Sequence, residues 1–177
     1  MKEFIRKIIL KQKAKKLDRT IRALNLKQVK SALILYNATK RESETIVRNF
    51  ARYLKEEGVK IESIGYYKRK SKKEELPPNE LGYYYFDTRA CNWLGIPVNQ
   101  ELNNLISKEH HLLIDLNFAP NFALRYFATL SNANFKIGKA GTYQDSICDM
   151  TIATEIQSLD YLIEQMKVYL KMINATK

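Results

Sequence analysis

The run Ala32-Leu33-Ile34-Leu35-Tyr36 constrains the fold most, because it leaves no polar side chain for either face of a strand to turn toward water. A strand that is apolar on both faces has to be covered on both faces, which suits a parallel sheet held between two helical layers. Leu112-Leu113-Ile114-Asp115-Leu116 repeats the pattern later in the chain. Around these two runs, strands are expected over residues 32–36, 59–67, 83–86, 111–116, 135–137 and 149–153. Helices are expected over 42–57, 97–108, 120–131 and 158–173. Ile46, Phe50, Tyr53 and Leu54 share one face of the first of these, which stops at Gly58. Ser158 reads as the cap of the last, with Leu159, Leu162, Ile163, Met166 and Leu170 turned inward. Strands separated by helices predict a three-layer, Rossmann-like α/β domain with a mainly parallel sheet of five or six strands. A chain of 177 residues can bury such a core as one domain, taken as residues 31–177 behind an N-terminal segment of residues 1–30.

That segment holds eleven of the thirty Lys and Arg residues, against only Glu3 and Asp18. Residues 2–25 contain no Gly or Pro, and Leu10, Ala14, Leu17, Ile21 and Leu24 recur at helical spacing. The expectation is one basic amphipathic helix whose stripe packs on the domain. Lys11, Lys15, Lys16, Arg19 and Arg22 project from the other side, with Phe4, Ile5, Ile8 and Ile9 as an apolar tip. A second cationic cluster, residues 68–73, lies in a loop closed by Pro77-Pro78. Such a face is either simply solvated or a contact for polyanions, RNA or the ribosome on one reading and an anionic membrane surface on another. The candidate nucleic-acid contacts are Lys11, Lys15, Lys16, Arg19, Arg22, Lys68, Arg69 and Lys70. The dispersed tyrosines give no stacking platform beside the helix.

In parallel α/β sheets ligands bind beyond the C-terminal strand ends. Asn37, Lys40, Arg41, Asp87, Asp115 and Asn117 fall there and form a candidate pocket for a nucleotide or sugar. The same residues also suit helix N-termini and loops, which is the simpler reading of them. Neither a GxGxxG turn nor a P-loop is present, so no phosphate cradle is readable. His110 and His111 are adjacent at the start of a strand and point to opposite faces, so they do not share a metal. Cys91 and Cys148 form no CxxC pair. No catalytic set, metal site or cofactor site emerges, and a non-catalytic binding protein is the expectation. Trp93, in Asn92-Trp93-Leu94-Gly95-Ile96-Pro97, is expected to anchor its loop to the core. Residues 1–10 lack a signal-peptide core, and no membrane-length apolar run occurs, which points to the cytoplasm with reduced thiols.

Two family resemblances attach to these stretches. Leu112 to Leu116, then Phe122-Ala123-Leu124-Arg125-Tyr126-Phe127, then Ala133-Asn134-Phe135-Lys136-Ile137-Gly138 resemble the N-terminal domain of lipopolysaccharide heptosyltransferases. That resemblance implies half of a two-domain glycosyltransferase. The chain departs from it after the first strand, where Asn37-Ala38-Thr39-Lys40 replaces a Gly-Asp pair, and it has no counterpart of the nucleotide-sugar domain. The basic N-terminus, the Asn92 to Pro97 loop and the strands at Leu113 and Phe135 are similar to an uncharacterised family of small basic α/β proteins from Bacteroidota. This second resemblance implies a bacterial single-domain protein and brings no activity.

Overall fold

The computed structural model describes residues 1–71 and 73–173 and places six strands in one parallel sheet. They are β1 (Ser31–Asn37), β2 (Lys60–Tyr66), β3 (Tyr83–Phe86), β4 (Leu112–Asp115), β5 (Phe135–Lys139) and β6 (Met150–Ile152). Their order is β3-β2-β1-β4-β5-β6, with every pairing parallel. The two doubly apolar runs sit side by side at its centre, Ala32 opposite Leu112 and Leu35 opposite Asp115. Helices α1 (Lys2–Ala14), α2 (Arg41–Glu56), α3 (Gln100–Ser107), α4 (Phe122–Leu130) and α5 (Leu159–Met172) complete the layers.

Alternation along β1 divides the core. Ala32, Ile34 and Tyr36 face a cluster with Phe50 and Leu54 of α2 and Leu162, Met166 and Leu170 of α5. Leu33 and Leu35 face the opposite cluster, with Leu10 of α1, Leu102 and Leu105 of α3, and Leu124 and Phe127 of α4. This is the period-two burial that a doubly covered strand requires. The chain therefore leaves β1 toward one face of the sheet and β4 toward the other, and a crevice opens between their C-terminal ends. Side-chain oxygens of Asn99, Asn121 and Ser158 accept backbone N–H bonds at the starts of α3, α4 and α5. The start of α3 at Gln100 corrects the expectation of residue 97. Pro97 instead pairs across the loop with Cys91.

The N-terminal segment departs most from expectation. A helix through residue 25 would keep Leu10 and Leu24 on one stripe, but the two are buried on opposite faces of the sheet. No straight helix can serve both, so α1 ends at Ala14 and the chain crosses beneath the sheet. On the way the Arg22 N–H donates to the Asn134 carbonyl at 3.0 Å, and the Asn134 amide donates to the Thr20 carbonyl at 3.3 Å. Asn25 then caps a short 3-10 turn and donates to the Lys171 and Ile173 carbonyls at the end of α5. The apolar tip is also divided. Ile5 and Ile9 pack on the core, while Phe4 is 68% exposed and Ile8 is exposed beside it. Ile21, placed on the buried stripe by its spacing, is exposed in the crossing.

Candidate nucleic-acid interface and strand-end crevice

The crevice between β1 and β4 encloses about 510 Å³. Asn37 and Asn117 stand at the strand ends, Lys40 and Ser43 lead into α2, and Ser158 and Asp160 open α5. The position of α2 is fixed by a polar knot. Glu44 accepts from the Tyr36 hydroxyl at 2.8 Å, from Arg48 Nε at 2.7 Å and from the Tyr85 hydroxyl. Burial, then the charge of Glu44, pushes the Tyr36 phenol far above its ordinary value, so the hydroxyl stays a donor. The crevice is nearly balanced in charge, since Lys40 and Lys68 share its walls with Glu42 and Asp160.

Of the expected pocket residues, Asn37, Lys40 and Asn117 line this crevice. Asp115 lies beneath it, fully buried, accepting from the Tyr143 hydroxyl at 2.7 Å and the Asn117 N–H at 3.1 Å. Burial pushes its carboxyl up to about 6, against the hydrogen bonds of Tyr143 and Asn117. Gln144 ties the same turn down by donating to the Asn117 carbonyl at 2.9 Å. Asp115 thus shapes the turn after β4 and does not line the cavity. Arg41 is exposed at the first position of α2, and its side chain makes no hydrogen bond or ion pair among the described residues. Asp87 belongs elsewhere, buried at the end of β3 and paired with Arg69 and Arg89.

The candidate nucleic-acid contacts separate in the same way. Lys11, Lys15, Lys16 and Arg22 are exposed, as are Lys68 and Lys70 in the second cluster. Lys72 of that cluster lies outside the described residues. Arg19 is committed internally: its guanidinium grips Asp149 through two nitrogens and donates to the Ala133 carbonyl at 3.2 Å. Arg69 is nine-tenths buried, bound to Asp87 and donating to the Glu74 carbonyl at 2.7 Å. Both guanidiniums are committed to partners within the fold. Of the eleven cations in the first thirty residues, only Arg6 and Arg19 have a carboxylate partner among the described residues.

A surface that the sequence did not disclose lies beyond β2 and β3. A hollow of about 680 Å³ runs along Tyr67, Lys68, Lys70 and Arg89. It shares Tyr66 and Thr88 with a pocket of about 260 Å³ walled by Lys2, Arg6, Asn121 and Trp93. Lys68 also borders the crevice, so the three concavities adjoin along the C-terminal edge of the sheet. Trp93, expected to be an anchor, is 71% exposed. Its neighbours Leu94 and Ile96 are the anchors, and the alternation between them is the signal that places Trp93 outside. The histidines are structural: His110 meets Glu62 at 2.8 Å and His111 meets Ser31 at 3.1 Å.

Comparison with known families matches residues 2–173 to a family of unknown function, DUF6913. No curated protein and no solved structure matches the chain. The likeness to heptosyltransferases therefore rests on the quoted stretches alone. No helix among the described residues is long and apolar enough to cross a membrane.

Proposed function

Since the chain belongs to DUF6913, a family that carries no assigned activity, we propose from its own geometry that it is a cytoplasmic RNA-binding protein, acting on free RNA or at the ribosome. The observation that carries this reading is the set of unpaired cations on α1 and its continuation. Lys7 and Lys11 lie four apart on α1 and Lys15 follows four further on as its C-cap, and like charges at this spacing on a helix repel by about 0.2–0.5 kcal/mol per pair. Among the described residues no carboxylate relieves that repulsion, whereas the fold does pair Arg19 and Arg69. A polyanion supplies the missing counter-charge, and its phosphates need no particular sequence. We assign the protein no reaction.

The test is binding to RNA and to anionic vesicles, by the native protein and by Lys11→Glu/Lys15→Glu/Lys16→Glu, across a salt series. RNA affinity that falls steeply with salt and collapses in the variant supports the proposal. Equal RNA binding by the variant overturns it. Vesicle binding that depends on Phe4 and Ile8, without RNA binding, assigns the surface to a membrane instead.

A second reading has its own support in the half-open, charge-balanced crevice at the β1–β4 switch. A nucleotide or sugar held there would raise the thermal midpoint, and Asn117→Ala would remove that increment.

A further inference from the structure

An exposed tryptophan on a rigid loop is unusual, because burying an aromatic ring of this size is a large source of stability. Here flexibility is not the reason for its exposure. Asn92 Oδ1 accepts the N–H groups of Leu94 at 3.0 Å and Ile96 at 3.1 Å, and the Asn92 N–H donates to the Ile96 carbonyl at 2.9 Å. Gly95, at φ +77°, closes the turn in a conformation that disfavours side chains. A Cβ there would meet Arg6 Nη2 at 2.8 Å, so the glycine also admits the Arg6 side chain, whose Nε donates to the Leu94 carbonyl at 2.6 Å. The loop is fastened from below and holds its indole outward beside a pocket.

The surroundings specify the occupant. The pocket is concave and mixed in character, with Asn92, Asn121 and Thr88 beside Tyr66 and Phe122 in its wall, and Lys2 also lines it. Lys68, Lys70 and Arg89 continue the positive charge along the adjoining hollow. The nearby acids are engaged: Glu3 with Arg6, Asp87 with Arg69 and Arg89, and Glu74 with the Tyr67 hydroxyl and the Lys70 N–H. Burial, with Asp87 as a smaller cause, pushes the Cys91 thiol up to about 11, so it adds no negative charge. A π-face next to a slot, with cations leading away from it, is the arrangement that single strands use.

We propose that Trp93 stacks an unpaired base of single-stranded RNA in this pocket, with the flanking phosphates on Lys2, Lys68 and Lys70. The proposal rests on the RNA-binding function above and adds the form of RNA that is recognised. A base within a duplex is already stacked on both sides and cannot be taken up without unpairing.

Trp93 is the only tryptophan of the chain, so its emission reports this site alone. The experiment titrates the full chain with a mixed-sequence single-stranded RNA dodecamer, its duplex, and anionic phospholipid vesicles. Saturable quenching by the single strand and none by the duplex is expected. Trp93→Ala should lose tenfold or more in single-strand affinity, about the scale of one stacking contact. Trp93→Phe should recover most of it, with unchanged thermal midpoints in both variants. Salt-dependent RNA binding without quenching, or without weakening in Trp93→Ala, refutes the base site and leaves the RNA-binding function standing. No RNA binding at all overturns both. A blue-shifted emission with vesicles and no response to RNA assigns the loop to a membrane surface and also overturns the proposal.

Discussion

The crevice and the cationic strip meet at Lys68, yet the fold treats their charges differently. In the crevice, Lys40 and Lys68 share the walls with Glu42 and Asp160, and the buried Tyr36 and Asn117 of the lining, like Asp115 beneath, are hydrogen-bonded. Along the strip and α1, Lys2, Lys7, Lys11, Lys15, Lys16 and Lys68 form no ion pair among the described residues, while Glu3 and Asp87 are held by Arg6, Arg69 and Arg89 and Glu74 by the Tyr67 hydroxyl and the Lys70 N–H. The concavity of the first follows from topology, since chains that leave β1 and β4 toward opposite faces must part. The charge of the second goes beyond what the fold uses, which is the favourable placement of Lys11 and Lys13 at the C-terminal end of α1 and the Lys13 bond to the Tyr126 hydroxyl. Topology thus locates a cavity, and unbalanced charge indicates the class of ligand.

The sharpest way to break this contrast is to reverse charge on each side of it. Lys11→Glu/Lys15→Glu/Lys16→Glu should weaken RNA binding by roughly a thousandfold at low salt. Lys40→Glu in the crevice should change it by less than about threefold, measured by fluorescence anisotropy. Equal effects would erase the distinction.

Beneath the crevice, Asp115 gives a pH signature. Its folded pKa of about 6 exceeds the ordinary value of 3.8, so the folded state binds the proton more tightly. The contribution is fully present below the unfolded pKa and is lost as pH rises through about 6. A difference of this size corresponds to roughly 3 kcal/mol. Urea unfolding at pH 4 and pH 7 should show this loss in the native protein relative to Asp115→Asn, in which the slope from this group disappears.

The arginines set aside as structural supply the next test. Arg19→Ala strands Asp149 in a largely enclosed position and should cost about 2 kcal/mol by chemical denaturation. RNA affinity of the folded variant should stay within twofold of native.

The smallest effect is expected at the most conspicuous side chain. Trp93→Ala should shift stability by less than about 0.5 kcal/mol. Leu94→Ala, one position along, should cost about 2–4 kcal/mol. A destabilising Trp93→Ala would restore the tryptophan to the role of anchor.

The sheet is legible in the sequence because its central strands are apolar on both faces, a pattern that few alternatives satisfy. Asn37, Lys40 and Asn117 are legible as crevice residues because strand ends follow from the strands. The length of α1 is not, because its helical spacing runs on through Leu17, Ile21 and Leu24, and only the three-dimensional need to place Leu24 across the sheet from Leu10 stops it. The commitment of Arg19 and Arg69 is hidden for a similar reason, since Asp149 and Asp87 reach them only through the tertiary fold. The strip escapes a sequence reading because it joins Lys2, Lys68, Arg89 and Trp93, which no local pattern connects.

The central claim is that the cations left unpaired by the fold are the ones that bind RNA. The most direct measurement is the slope of log affinity against log salt for single-stranded RNA, in native protein, Lys15→Ala/Lys16→Ala and Arg19→Ala. Removing one phosphate-binding cation should lower the slope by about 0.7, so removing the lysine pair should lower it by about 1.4. Arg19→Ala should leave it unchanged. A native slope near zero, or an equal drop in Arg19→Ala, would contradict the account.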